Sequence, residues 1–161
     1  MNIFRLHPNP KKSARMMCDK HIVKMPLESA QMLCSVWHRY GHGDKVKYKE
    51  AFKKHPCTLW AGDSHINYIW LWSHGMSLCH EYTQRYDKNH ACEEIIKGIL
   101  KVPFTFQQVT ATPQPQCMPE EYKVSGDAVK AYRNYYIGDK IRIAKWNKTA
   151  PMPKWFRLGI V

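Results

Sequence analysis

The stretch from Ser64 to Tyr86 constrains the fold most. His65, Tyr68, Ile69, Trp72, Met76, Cys79 and Tyr82 recur at helical steps through a segment that contains no proline. This period predicts an α-helix with one long apolar stripe, and Asp63 or Ser64 supplies the side-chain oxygen that starts such a helix. A stripe of this length must be covered, so the segment is the expected central core element. Residues 12–39 carry a second helical pattern through Val23, Leu27, Ala30, Cys34 and Trp37. Pro26 interrupts it, which predicts either a kink or a helix that restarts with Pro26 in its first turn.

Between and beyond these patterns the chain is punctuated. Tyr40-Gly41-His42-Gly43-Asp44 reads as a turn, and the lysine-rich 45–54 as an exposed loop or short helix. Pro103, Pro113, Pro115 and Pro119 make 101–123 a long ordered loop or a lid. A third helix is predicted from Asp127 to Trp146. At 100° per residue, Val129, Tyr132, Tyr135, Tyr136, Ile143 and Trp146 share one arc, with Lys130, Arg133, Lys140, Lys145 and Lys148 opposite and Arg142 in the same basic segment. That basic side is either a solvated surface or a binding face, and Gly138 weakens the helix locally.

Charge separates those readings. The net charge is +12, and it is unevenly spread: residues 1–60 balance at +8, 61–120 at −2 and 121–161 at +6. Two basic ends around a near-neutral, Trp-rich middle suggest a shared cationic face and a core supplied by the middle. Phosphates reward clustered Lys and Arg through counterion release, so nucleic acid is the expected partner. A membrane surface lacks its amphipathic anchor helix, no run approaches a membrane span, and the opening residues have no signal-peptide apolar segment. The chain reads as soluble and intracellular. Six scattered cysteines without a CxxC pair give no local zinc spacing and no disulfide scaffold, so no metal and no cofactor is expected. Serine-hydrolase, P-loop and dinucleotide fingerprints are absent.

Ionisable residues concentrate where the first long helix would otherwise be apolar. On a continuous helix His21, Lys24 and Glu28 fall within about 60° of one another, with Lys24 and Glu28 four residues apart. Such a trio suits acid–base work beside DNA phosphates. If Pro26 instead opens the helix, Glu28 occupies the third helical position, where a carboxylate is stabilising for structural reasons alone.

The order Asp19-Lys20-His21 with Glu28 seven residues after the histidine, then Pro56-x-Thr58, then Gly62-Asp63-Ser64-His65 opening an aromatic helix, then a basic helix and Pro153-Lys154-Trp155-Phe156, resembles the bacteriophage pyrimidine-dimer DNA glycosylases of the endonuclease V type. The resemblance implies an all-α fold: a single compact domain over residues 1–161, with three principal helices and long connecting loops. It implies a monomer that binds duplex DNA containing a damaged or modified base, bends it and flips a nucleotide, in the cytoplasm, at the nucleoid or in a phage-infected bacterium. In that family an N-terminal α-amine attacks the sugar C1′ to form a Schiff base, and a glutamate matching Glu28 drives base removal and β-elimination. An α-amine suits this because amines of that class titrate at about 7.7–8.0 and keep a neutral fraction that lysine lacks. His21 would position the DNA or the glutamate, and Lys20, Lys24, Lys130, Arg133, Lys140, Arg142, Lys145 and Lys148 would hold the strand backbone.

Three positions depart from the family pattern. The family nucleophile is a threonine bared by removal of the initiator methionine, whereas Asn2 follows Met1 here and Met1 is expected to stay, so that the amine belongs to Met1 or is displaced by one residue. Leu27 and Gln31 stand where arginines flank the family glutamate. Lys20 or Lys24 as the amine, or Glu28 or Asp19 activating water, are the alternative chemistries. A transferase acting on unusual phage bases and a DNA-binding module without chemistry are the alternative functions.

Overall fold

The computed structural model describes residues 1–160. Its seven α-helices are α1 (Pro10–Met16), α2 (Asp19–Arg39), α3 (Pro56–Asp63), α4 (His65–Tyr86), α5 (Glu93–Gly98), α6 (Ala128–Gly138) and α7 (Lys154–Gly159). Single 3₁₀ turns cover Gly43–Lys45, Glu120–Tyr122 and Lys140–Arg142. No β-strand occurs among the described residues, only an isolated bridge between Ser64 and Gln108, so the expected all-α class is the observed one. No helix among the described residues is long and apolar enough to cross a membrane.

Local chemistry explains most of the boundaries. The Asn9 side chain accepts the Lys12 N–H and Pro10 opens α1, while Ser64 accepts the N–H groups of Ile66 and Asn67 and opens α4. The chain breaks at Met17–Cys18, not at Pro26: α2 runs through the proline, so Lys24 and Glu28 are true i, i+4 neighbours. The third helix is shorter than its sequence pattern. It ends at Gly138, and a 3₁₀ turn carries Lys140 onward. Tyr122 packs so closely on Gly138 that a Cβ there would meet its ring at 2.2 Å, a long-range contact that periodicity does not register. The 101–123 segment is a packed loop: Trp60 donates to the Thr112 carbonyl, Thr112 and Asn67 exchange hydrogen bonds, and Gln114 is buried.

Helices α2 and α4 pack most extensively, with α1 and α3 laid on them. Gly75 permits the crossing, since a Cβ there would lie 3.2 Å from Ser29 Cβ and 3.1 Å from an Ile96 methyl. Buried Arg85 ties α4 to the α1–α2 junction through Asp19 (3.0 Å) and the carbonyls of Met17 and Arg15, and Glu81 of its own helix pairs with it at 3.2 Å. The core has two clusters. Trp37, Trp60, Tyr68, Leu71 and Phe106 belong to one, and Ile22, Leu78, Tyr132, Tyr136 and Phe156 to the other. The N-terminal segment joins both, with Ile3 in the first and Phe4 and Leu6 in the second.

Candidate active site

The apolar opening Ile3-Phe4-x-Leu6 buries the N-terminus, and neighbouring side chains answer its backbone polar groups. Gln114 donates to the Ile3 carbonyl at 2.8 Å, Arg133 to that of Leu6 at 2.9 Å and Ser13 to that of Phe4 at 3.1 Å, while the Leu6 N–H donates back to Ser13. A strand-like segment outside any sheet is thereby satisfied at each of these groups. Asn2 is its most heavily bonded residue. Its Oδ1 accepts from the Tyr132 hydroxyl (2.7 Å), its neighbour's N–H (2.9 Å) and weakly from the Cys57 thiol (3.8 Å), and its Nδ2 donates to the Cys117 carbonyl (2.8 Å).

This anchoring delivers the chain terminus to Glu28. The Met1 amine lies 3.8 Å from Glu28 Oε2, the Asn2 N–H donates to the same oxygen at 2.9 Å, and Lys24 Nζ is 3.3 Å from Oε1. Glu28 is 8% exposed, and the two cations and the amide donor offset the cost of burying its charge. Met1, Asn2, His21, Glu28, Lys20, Lys24 and Lys140 line one cleft of about 330 Å³, with Phe4 and Tyr135 among its aromatic walls. A nucleophile-type amine, a carboxylate and three lysines thus face one space, an arrangement suited to nucleophilic or acid–base chemistry on an anionic substrate.

His21 is buried at the cleft wall. Its ring stacks on Phe4 with centroids 4.4 Å apart, and Nδ1 is 2.5 Å from the Tyr136 hydroxyl. Burial first, then Lys140, Lys24 and Lys20, pushes its pKa down to about 3, so it is neutral at physiological pH and braces the N-terminal segment. Asp19 is committed elsewhere: beyond Arg85 it accepts the Asn147 N–H at 2.7 Å. That occupancy argues against Asp19 as an activator of water.

Of the other cations predicted to hold DNA, Lys130, Arg133, Arg142, Lys145 and Lys148 do not line this cleft. Arg133 bonds Leu6 and lies over Trp155 at 5.2 Å, and Lys148 lies over Tyr86 at 5.2 Å. Lys130, Arg142 and Lys145 are exposed. The expected continuous basic helix face does not form, because the helix that would display it stops at Gly138. A second hollow, of about 520 Å³, sets Lys12 and Arg15 of α1 and Lys154 and Arg157 of α7 around Trp155, four cations outside the segment predicted as the basic helix.

His55 was not singled out by any sequence pattern. It caps α3, accepting the Cys57 N–H at 3.2 Å, and burial, reinforced by the Met1 amine and opposed by Glu28, lowers its pKa. Cys57 Sγ lies 3.6 Å from Cys117 Sγ. Donation from Cys57 draws the Cys117 thiol down to about 7. Metal-ligating atoms of His55, Cys57 and Cys117 all lie within 4.8 Å of one another. The absence of a local metal spacing therefore did not decide the question, because the two cysteines are far apart in the chain.

No curated protein and no solved structure matches the chain. The family model for pyrimidine dimer DNA glycosylases matches residues 1–94, a span that includes the terminal amine, Lys20, His21, Lys24 and Glu28, whereas Tyr135 and Lys140 come from beyond it. With the match covering more than half of its length, the chain belongs to the pyrimidine dimer DNA glycosylase family.

Proposed function

We propose that the protein excises a damaged base from duplex DNA, with the Met1 α-amine as nucleophile and Glu28 as the catalytic carboxylate. The observation that carries this reading is the approach of the amine to Glu28 Oε2, at 3.8 Å, inside the cleft lined by Lys20, Lys24 and Lys140. The neutral amine adds to C1′ of an extruded nucleotide as the glycosidic bond breaks, and the base leaves with a proton. The C1′–O4′ bond of the resulting aminal then opens, O4′ taking a proton delivered through Glu28, and the adduct is a protonated imine. Glu28 holds the amine, stabilises the oxocarbenium-like sugar, and then accepts a proton from C2′ while the 3′ phosphate leaves. Asn2 fixes the amine through its side-chain bonds, and His21 acts as a positioning residue through Phe4.

Met1 suits this role because its side chain is buried, with Sδ 3.7 Å from the Thr58 hydroxyl, so the first residue is an anchor as well as a nucleophile. Lys20, Lys24 and Lys140 hold the phosphates flanking the extruded nucleotide, and the cations around Trp155 extend the contact along the duplex. The test is single-turnover base release and strand cleavage on duplex DNA carrying a pyrimidine dimer. Glu28→Gln keeps an acceptor for the Asn2 N–H and should lower the rate by about 10²–10⁴-fold with dimer-DNA affinity within a few-fold of native. A rate unchanged by the substitution removes Glu28 from the chemistry. Binding without any product from the native protein favours the module reading, and transfer of a group to an intact base favours the transferase.

A further inference from the structure

We propose that His55, Cys57 and Cys117 form a site for a thiophilic divalent cation of the zinc type, directly behind the N-terminal residue. The metal-ligating atoms lie within 4.8 Å of one another. The two sulfurs are 3.6 Å apart, close to the roughly 3.8 Å that separates two thiolates bound to one tetrahedral zinc with Zn–S bonds of about 2.3 Å. Little movement is needed to seat an ion between them.

The three donors are pre-positioned by different parts of the fold. His55 and Cys57 stand at the start of α3, where the capping turn sets the imidazole against the Cys57 N–H. Cys117 comes from the proline-rich loop, held where its carbonyl receives the Asn2 amide and its own N–H meets Tyr132. The side chains of His55 and Cys117 are half-exposed while Cys57 is buried, so an ion can reach the site from solvent and lose water on the inner side. Cys57 Sγ makes long contacts to Asn2 Oδ1 at 3.8 Å and to Cys117 Sγ at 3.6 Å, so ligation gives up weak thiol donation there.

Two thiolates with one imidazole select a soft or borderline ion over magnesium or calcium, and a Cys₂His set leaves a fourth position for water. Binding releases the two thiol protons to solvent. Because Cys57 and Cys117 both contact Asn2, the ion would clamp α3 to the loop at the residue that anchors the amine. It would brace the terminus without touching substrate.

The test is titration of the full-length, reduced protein with Co²⁺. The expected result is one equivalent bound, with a near-ultraviolet thiolate-to-cobalt band and visible d–d bands of tetrahedral intensity, displaced by Zn²⁺, together with a higher melting temperature. Cys117→Ser, a substitution at a half-exposed position, should abolish the thiolate band while far-UV circular dichroism stays native, and His55→Gln should weaken binding independently. Absence of a thiolate band in the native protein overturns the proposal, as does a band that survives both substitutions. A native protein that forms a Cys57–Cys117 disulfide in air but takes up no cobalt when reduced overturns it too.

Discussion

Asn2→Ala is the perturbation that most directly probes how the terminus is held. Asn2 is 9% exposed, and its carboxamide serves the Tyr132 hydroxyl, the Ile3 N–H and the Cys117 carbonyl. Tyr132 retains a partner after truncation, since its hydroxyl also lies 3.1 Å from the Pro115 carbonyl. The Ile3 N–H and the Cys117 carbonyl lose the bonds that Asn2 supplied. A buried polar group left unsatisfied costs about 1–3 kcal/mol, so two such groups, with some relief from water entering the gap, predict a loss of roughly 2–4 kcal/mol. Urea denaturation at pH 7 reads this as a shift in midpoint at constant slope. The same truncation frees the amine from its register with Glu28, and a displacement of about 1 Å at a reacting centre costs on the order of 100-fold in rate. Stability within about 0.5 kcal/mol of native, the range of an ordinary surface substitution, would refute the hydrogen-bond network. Lost stability with a native single-turnover rate would refute the claim that Asn2 positions the nucleophile.

Two further predictions concern charge and acid. His21 and His74 are both buried, and burial pushes their pKa values down to about 3 and about 4. The unfolded chain therefore takes up protons first: the stabilisation is whole above about pH 6.5 and is lost progressively as pH falls toward 4. Urea midpoints at pH 7 and pH 5 should show His74→Gln, which removes one of these protons, losing less stability on acidification than native by about 2 kcal/mol; equal losses would contradict the assignment. Lys20, Lys24 and Lys140, replaced singly by Ala, should each make the log–log salt dependence of DNA affinity shallower by about 0.9, read by fluorescence anisotropy, whereas an unchanged slope places that lysine away from phosphate.

The fold was legible wherever a local signal governed it. Ser64 announces α4, the apolar steps through Tyr82 carry it to its end, and the prolines of 101–123 mark an ordered loop. Legibility failed where a distant contact decided the outcome. Gly138 weakens the helix locally, but nothing near it in the chain shows that Tyr122 packs against it where α6 ends. α3 lacks an amphipathic stripe because Cys57, Thr58, Trp60, Ala61 and Gly62 bury it on several sides. The carboxylate of the site was readable from the spacing of His21, Lys24 and Glu28, with Pro26 leaving two geometries open until α2 proved continuous. The terminus was different. Only the family resemblance pointed to it, since no pattern of spacing reveals that Asn2 is held by Tyr132 and Cys117 from the far half of the chain, or that His55 and Cys57 meet Cys117 beside it. The charge distribution anticipated the cleft in outline: Lys20 and Lys24 from the first basic segment and Lys140 from the last line the same space.

The central claim is that the chain terminus itself is the nucleophile. Its most direct test is borohydride reduction during reaction with dimer-containing duplex, followed by proteolysis and mass spectrometry of the cross-linked peptide. A reduced adduct on the α-nitrogen of Met1 is the predicted result. No adduct in a reaction that releases base, or an adduct on the ε-amine of Lys20 or Lys24, would contradict it.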